Sequence, residues 1–256
     1  FDFIKVDWCG GNWLGLDEQT RYTEIGTLAR RIKPSVGYNV CRWEFPGKWV
    51  TQVADSWRIA GDLRANFNSV LNTIDANADL WMYASRGHYN DMDMLQVGRG
   101  MSIEEDKAHF SMWCLMHSPL LLGNDLTQIS KQTLDIVTNQ ELIAINQSPF
   151  VYQARRLIDL GDLEVWARPL VSTVSGEVAV VLLNRSKQGQ SIAFMIGDVG
   201  IEASKGYMLK DLWTNEICDT ASDIEVSRMV PGHGVVVLKI NGVSKPYNVF
   251  QFKDKK

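Results

Sequence analysis

Two rhythms of apolar and polar positions alternate along the first 148 residues. Short apolar runs of the buried-strand type, beginning with residues 1–6, give way to stretches in which apolar residues return every three or four positions. Residues 17–33 carry Tyr22, Ile25, Leu28, Ala29 and Ile32 at helical spacing, and Pro34 ends that helix. Residues 35–40 read as a strand, 45–54 as a short helix with Pro46 near its start, and 57–61 as a strand. A helical pattern covers 64–84, broken near 76–79, and 89–95 reads as a strand rich in carboxylates. Ser102, followed by Glu104 and Glu105, predicts an N-cap with acids in the first turn of a helix reaching about His117. A buried strand at 119–123 and a helix at 130–146 complete the series.

The order βαβαβαβαβα predicts an α/β fold with parallel strands. Five βα units are part of an eightfold barrel, and a truncated barrel has open edges, so three further units are expected to precede Phe1. After Pro149 the texture changes to short β-rich segments between turns: LEVWARPL, GEVAVVLLNRS, SIAFMIG, GYMLKDLW, SDIEVSRMV and GVVVLKI. Their spacing suits an antiparallel sandwich. The expected architecture is therefore a partial (β/α)8 TIM barrel, its last five βα units at residues 1–148, followed by an antiparallel β-sandwich domain at 149–256. The second domain holds no carboxylate pair or His cluster and reads as a structural module against one side of the barrel. His233, in PGHG, reads as a turn residue, and the lysine-rich tail at 253–256 as a solvated end.

A net charge of −4 with no Lys/Arg run argues against a nucleic-acid partner, and no apolar run is long enough to span a membrane. The chain starts inside a strand without Met, so the lack of a leader carries no information, and both secreted and cytoplasmic locations stay open. A homo-oligomeric state is left open too. The four cysteines form no CxxC pair, which argues against a zinc ribbon or thioredoxin-type site, and Cys114 lies in a helical pattern as a buried apolar residue. Cys9 and Cys41 both follow strand ends. Nine tryptophans suit a large core, and some of them suit stacking on sugar rings.

The candidate chemistry sits where the strand-like runs end. Lys5 and Asp7 close the first run, Arg58 and Asp62 the third, Asp91 and Asp93 the fourth, and YNVCRW brings Cys41, Arg42 and Trp43 to the second. Catalytic residues of barrel enzymes occupy such strand ends, although Lys5 and Asp7 also fit a plain ion pair at a strand terminus. Asp7 and Asp62 are a natural pair for glycoside hydrolysis, in which one carboxylate attacks the anomeric carbon and one carboxylic acid protonates the leaving oxygen. Lys5 would keep Asp7 ionised, and Asp91 or Asp93 would help to keep Asp62 protonated. This chemistry needs no cofactor, and the histidines lack the spacing of metal ligands.

With these residues in place, the chain resembles the second half of a glycoside hydrolase family 27 enzyme, the family of α-galactosidases and α-N-acetylgalactosaminidases. The matching motifs are K-x-D-x-C (Lys5, Asp7, Cys9), C-x-W (Cys41, Trp43), S-W-R-x-x-G-D (residues 56–62), N-D-x-D-M (90–94) and S-P-L-L-L-G-N-D-L (118–126). The helix end I-A-I-N-Q and the segment G-D-L-E-V-W-A also fit. The resemblance implies a retaining exo-glycosidase acting on terminal α-galactosides, with Asp7 as nucleophile and Asp62 as acid/base. It implies sugar contacts from Lys5, Cys41, Trp43, Arg58, Asp93 and Met94. It also implies further pocket residues on three earlier strands and a disulfide partner for Cys9 outside this sequence. The expected partner is a galactose-containing oligosaccharide or glycoconjugate. Related readings are an enzyme for α-N-acetylgalactosaminides or β-L-arabinopyranosides, and a carbohydrate-binding protein without catalysis. Between Cys41 and Trp43 many family galactosidases carry Glu facing the sugar's 2-position. Here the residue is Arg42, which is expected at the pocket rim, held by a carboxylate such as Glu44 or by the ligand.

Overall fold

Strand residues of opposite character alternate here because their two faces meet different surroundings. In the computed structural model, which describes residues 1–171 and 176–245, β1 (Phe3–Asp7), β2 (Gly37–Cys41), β3 (Ser56–Arg58) and β4 (Tyr89–Asp91) form a four-stranded parallel sheet in chain order. Val40 and Trp57 on the alternate face are fully buried among apolar residues, while Lys5, Asn39, Ser56 and Arg58 share the other face. The connections between parallel strands carry the helices α1 (Glu18–Ile32) and α2 (Phe67–Ala78), and α3 (Ile103–Leu115) follows β4. Asp17 caps α1 by accepting from Thr20 N at 2.8 Å. Gly26 lets α1 lie against β2, because a Cβ there would meet the Tyr38 ring at 2.8 Å. Ser102 and Glu105 form a reciprocal capping box on α3.

Several elements differ from the sequence expectation, among them the strand expected at 57–61, which ends at Arg58. The short helix at 45–54 is a 3₁₀ turn, Lys48–Gln52, because Gly47 (φ +106°) delays its start. The strand expected over 89–95 leaves the ladder after Asp91, since Asp93 takes a left-handed conformation (φ +81°). Its continuation bridges the expected strand at 119–123 only through Leu95 and Leu122. The helix at 130–146 is two helices, α4 (Lys131–Val137) and α5 (Gln140–Asn146). Asn139 interrupts them, capping α5 with Oδ1 while its Nδ2 donates to Leu212 O at 3.0 Å. The break expected near 76–79 is present, and a 3₁₀ turn, Trp81–Tyr83, follows it.

The remainder is antiparallel. Strands β5 (Arg155–Asp159), β6 (Leu163–Pro169), β7 (Glu177–Asn184), β9 (Tyr207–Asp211), β10 (Ile217–Ala221) and β12 (Val235–Gly242) form a sheet of order β10-β9-β12-β7-β6-β5. The pair β8 (Gln190–Met195) and β11 (Glu225–Val230) forms a second sheet. Strands β5 and β10 were not among the segments read from the sequence. The apolar run of β7 reflects burial on both faces. Ala179, Val181 and Leu183 join the core that contains Trp113, whereas Val178, Val180 and Leu182 pack with Ile192, Phe194 and Val226. His233 occupies a turn, as expected, and that turn docks on the helices: Nδ1 lies 2.8 Å from Glu105 and the ring stacks on Phe67. The lysine-rich tail at 253–256 lies outside the described residues. No helix among the described residues is long and apolar enough to cross a membrane.

Candidate active site

The parallel register gathers the chemistry. Asp7 pairs with Cys41 and Arg58 with Asp91, and the intervening register, Val40 with Trp57, sets all four residues in one row at the C-terminal edge of the sheet. The row two residues earlier holds Lys5, Asn39, Ser56 and Tyr89. Strands that end together in a parallel sheet thus present Lys5, Asp7, Asn39, Cys41, Ser56, Arg58 and Asp91 on one face at one end. Lys5 Nζ lies 3.5 Å from Asp7 Oδ1, each side chain 39 % exposed, so both remain open to a ligand. Burial pushes the Cys41 thiol up to about 12, and its hydrogen bond to Asp7 adds to the rise. The thiol therefore stays protonated and donates to the Asp7 carboxylate.

Arg58 is the hub. Its side chain is only 2 % exposed, and Nη2 reaches Asp93 Oδ2 at 3.0 Å and Asp62 Oδ1 at 3.3 Å. Asp93 also accepts from Leu63 N at 2.8 Å, while its own N–H donates to Asp91 Oδ1 at 2.8 Å. Asp91 Oδ2 accepts from Asn39 Nδ2 at 2.9 Å, and the same amide reaches Ser56 Oγ at 2.7 Å. Burial raises the Asp91 carboxyl above its ordinary range, against the pull of the Asp93 N–H and of Arg58. Asp62, at the end of the β3 loop, is 74 % exposed, with Arg58 as its ionic partner. The expected carboxylate neighbours of Asp62 are engaged elsewhere: Asp93 by Arg58 and Leu63, Asp91 by Asn39 and the Asp93 backbone.

Trp43 takes a left-handed backbone (φ +64°) beyond β2 and leaves its ring partly exposed, and Met94 is exposed beside Asp93. Arg42 is held by Glu44, as expected, and also by Glu18 at the start of α1. Its guanidinium thus engages carboxylates on its own loop and on the neighbouring helix. Cys9 is exposed and Cys41 buried, both as free thiols. Sequence reading passed over Asn39, Ser56 and Gln96. The signal for the first two was present in polar residues at period two inside otherwise apolar strands, a pattern that places them beside Cys41 and Arg58.

Residues 2–148 match the family model described as alpha galactosidase A, and residues 160–240 match the alpha galactosidase C-terminal beta sandwich domain. The chain belongs to the alpha galactosidase A family. It is 35 % identical to alpha-galactosidase A of Cellvibrio japonicus over 94 % of its own length, and 37 % identical to alpha-galactosidase 2 of Arabidopsis thaliana over 83 %. It spans 63 % of the first relative and 53 % of the second. Alpha-galactosidase I of Mortierella vinacea has the same fold, with a TM-score of 0.87 at 28 % identity over 96 % of this chain and 69 % of that one. The alpha galactosidase A family is built as a glycoside hydrolase barrel with an appended β-sandwich, which accounts for the parallel and antiparallel sheets here.

Proposed function

We propose that the protein to which this chain belongs is a retaining, exo-acting α-galactosidase whose substrate is a galactose-containing oligosaccharide or glycoconjugate. The observation that carries the reading is the row Asp7, Cys41, Arg58, Asp91, with Asp62 tethered to Arg58. Asp7 is the nucleophile. Its carboxylate, beside Lys5 and the Cys41 thiol, attacks the anomeric carbon as the glycosidic C–O bond breaks. Asp62 gives its proton to the departing oxygen. In the second half, Asp62 takes a proton from water, the water oxygen attacks the anomeric carbon, and the Asp7 ester bond breaks. Lys5, Cys41, Arg58, Trp43, Asp93 and Met94 are sugar-binding residues, and Arg42 stands at the rim. Residues 1–148 are the barrel part and 149–256 the sandwich part of this protein. The names of the relatives support the choice of α-galactoside. Among the described residues β1 pairs with β2 alone, which leaves its other edge open.

A panel of nitrophenyl glycosides tested on the full-length protein decides the matter. The α-galactoside should be the preferred substrate, with galactose released first as the α-anomer. Asp7→Asn should abolish turnover in a folded protein. Asp62→Asn should lose far more activity toward alkyl or sugar aglycones than toward activated aryl ones, which need little protonation. Preference for the N-acetylgalactosaminide or the arabinopyranoside, or release of the β-anomer, would overturn the reading.

A further inference from the structure

The loop that carries Asp62 is held before it by Arg58 Nη2, which donates to Ala60 O at 3.1 Å, and after it by the contacts of Leu63. At Gly61 an added Cβ would have nothing within 4 Å, and the Asp62 side chain is 74 % exposed. The next residue, Leu63, is held at both ends of its backbone. Its N–H donates to Asp93 Oδ2 at 2.8 Å, and its C=O accepts from Gln96 Nε2 at 3.2 Å. Both partners lie on the segment after β4, and both ends of that segment are fixed to a single face of α3. Trp113 Nε1 donates to Asp93 O at 2.9 Å, and Gln96 N donates to His109 Nε2 at 3.0 Å.

His109 and Trp113 are one helical turn apart, fully buried, with rings edge-to-face at 4.0 Å. Burial pushes His109 down to about 3, so the imidazole is neutral and Nε2 is free to accept. Its proton then sits on Nδ1, which is buried without a partner. A buried imidazole that leaves one nitrogen unpaired is an expensive way to fill a core. The expense is understandable if the ring has a task at the other nitrogen, and that nitrogen meets the Gln96 backbone.

We propose that Gln96, backed by His109 and Trp113, is a positioning residue that sets the height of the Asp62 carboxyl over the leaving-group oxygen. Asp93 supplies the grip on the Leu63 N–H, and Gln96 the grip on its C=O. With both in place the two peptides that flank Leu63 are held, and the Asp62 carboxyl is presented from a fixed backbone. Without Gln96 the Leu63 C=O loses its side-chain donor, the peptide it shares with Arg64 keeps only the Arg64 N–H contact to Ser69 Oγ at 3.0 Å, and the backbone after Asp62 gains freedom about the Asp93 contact. Proton delivery is then degraded while nucleophilic attack by Asp7, on a different strand, is untouched. The inference rests on the assignment of Asp62 as acid/base.

The test uses the full-length enzyme and Gln96→Met, which keeps length and flexibility but removes the donor. Two substrates are compared, an alkyl α-galactoside and a dinitrophenyl α-galactoside. The alkyl substrate should lose about tenfold in kcat/KM, chiefly in kcat, and the activated one less than about twofold. Trp113→Phe, which keeps a ring but loses the indole donor to Asp93, should show the same split. Equal losses on both substrates, or no loss on either, in variants with an unchanged melting temperature would overturn the proposal. Unfolding of both variants would overturn it as well, since these contacts would then hold the core rather than the loop. Failure of the unmodified enzyme to cleave either α-galactoside would instead refute the functional assignment.

Discussion

Arg58 and Asp93 meet at 3.0 Å with side chains 2 % and 11 % exposed, and the same Arg58 nitrogen extends 3.3 Å to the open carboxyl of Asp62. The guanidinium thus joins a sealed carboxylate to a solvated one. Its Nη2 also donates to Ala60 O at 3.1 Å, so it braces the loop as well as the charges.

Removal of Arg58 should therefore act on stability and on activity together. Arg58→Ala leaves the Asp93 carboxylate largely buried with the Leu63 N–H as its remaining contact, and should cost about 3 kcal/mol in urea unfolding. Arg58→Lys keeps the charge but not the planar fork. It should retain most of the stability while losing activity, because the shorter lysine side chain does not carry its ammonium to the Nη2 position from which Ala60, Asp62 and Asp93 are all reached. Equal stability of Arg58→Ala and the unmodified protein would show that the pair contributes nothing net.

Much of this site could be read from the chain, because parallel strands that end in register bring their last residues together. Asp7, Cys41 and Arg58 were identifiable from strand ends alone. The Asp93 turn was not, because its left-handed backbone is fixed by Asp91 Oδ1 and Trp113 acting on its own peptide groups. Nor was the split at Asn139, where a side-chain contact to Leu212, in the turn after β9, overrides a continuous helical pattern. The partners of Arg42 were only half legible: Glu44 is two residues away, but Glu18 comes from a helix brought alongside by the β1–β2 pairing.

Arg42 should accordingly behave as a clamp between its own loop and the start of α1. Arg42→Glu would place three carboxylates together at residues 18, 42 and 44, loosening the turn that carries Trp43. The expected outcome is a raised KM for every accepted glycoside, with the preference among sugars little changed. Arg42→Lys should be milder, since one cation remains between the acids. A selective gain toward plain galactosides in Arg42→Glu would instead show that Arg42 reads the 2-position.

The sandwich is tied to α2 by a charge network around Glu164, which is fully buried. Its carboxylate accepts from Arg156 at 2.9 Å, Arg185 at 2.7 Å and Trp166 Nε1 at 2.7 Å. Asp75, on α2, takes both terminal nitrogens of Arg185. Glu164→Gln leaves buried donors facing an amide and should cost about 3–5 kcal/mol in thermal or urea unfolding. Asp75→Asn, on the half-exposed side of the same network, should cost about 1 kcal/mol or less. A larger effect at Asp75 than at Glu164 would place the hold on the surface rather than in the core.

Asp106 gives a pH dependence of unusual sign. It lies buried in α3, with Oδ2 accepting from Gly98 N at 2.9 Å and Oδ1 without a partner. Burial is the main cause that pushes this carboxyl up to about 6, and the nearby Glu105 charge adds to it against the Gly98 hydrogen bond. Because the folded value lies above the ordinary 3.8, the folded protein holds a proton that the unfolded chain has already released between about pH 4 and about pH 6. Stability contributed by Asp106 is therefore present below about pH 4, declines as pH rises, and is lost above about pH 6. His109 and His117, each pushed down to about 3 by burial, act in the opposite sense, favouring the folded state as pH rises toward their ordinary 6.5. Their contribution is common to the unmodified protein and to Asp106→Asn and cancels in the comparison. An asparagine keeps the acceptor for the Gly98 N–H and never ionises. Asp106→Asn should thus match the unmodified protein at about pH 4 and exceed it by about 2 kcal/mol at pH 7, read from urea midpoints across that range. A difference that stays constant with pH would show that the carboxyl titrates alike in the folded and unfolded chains.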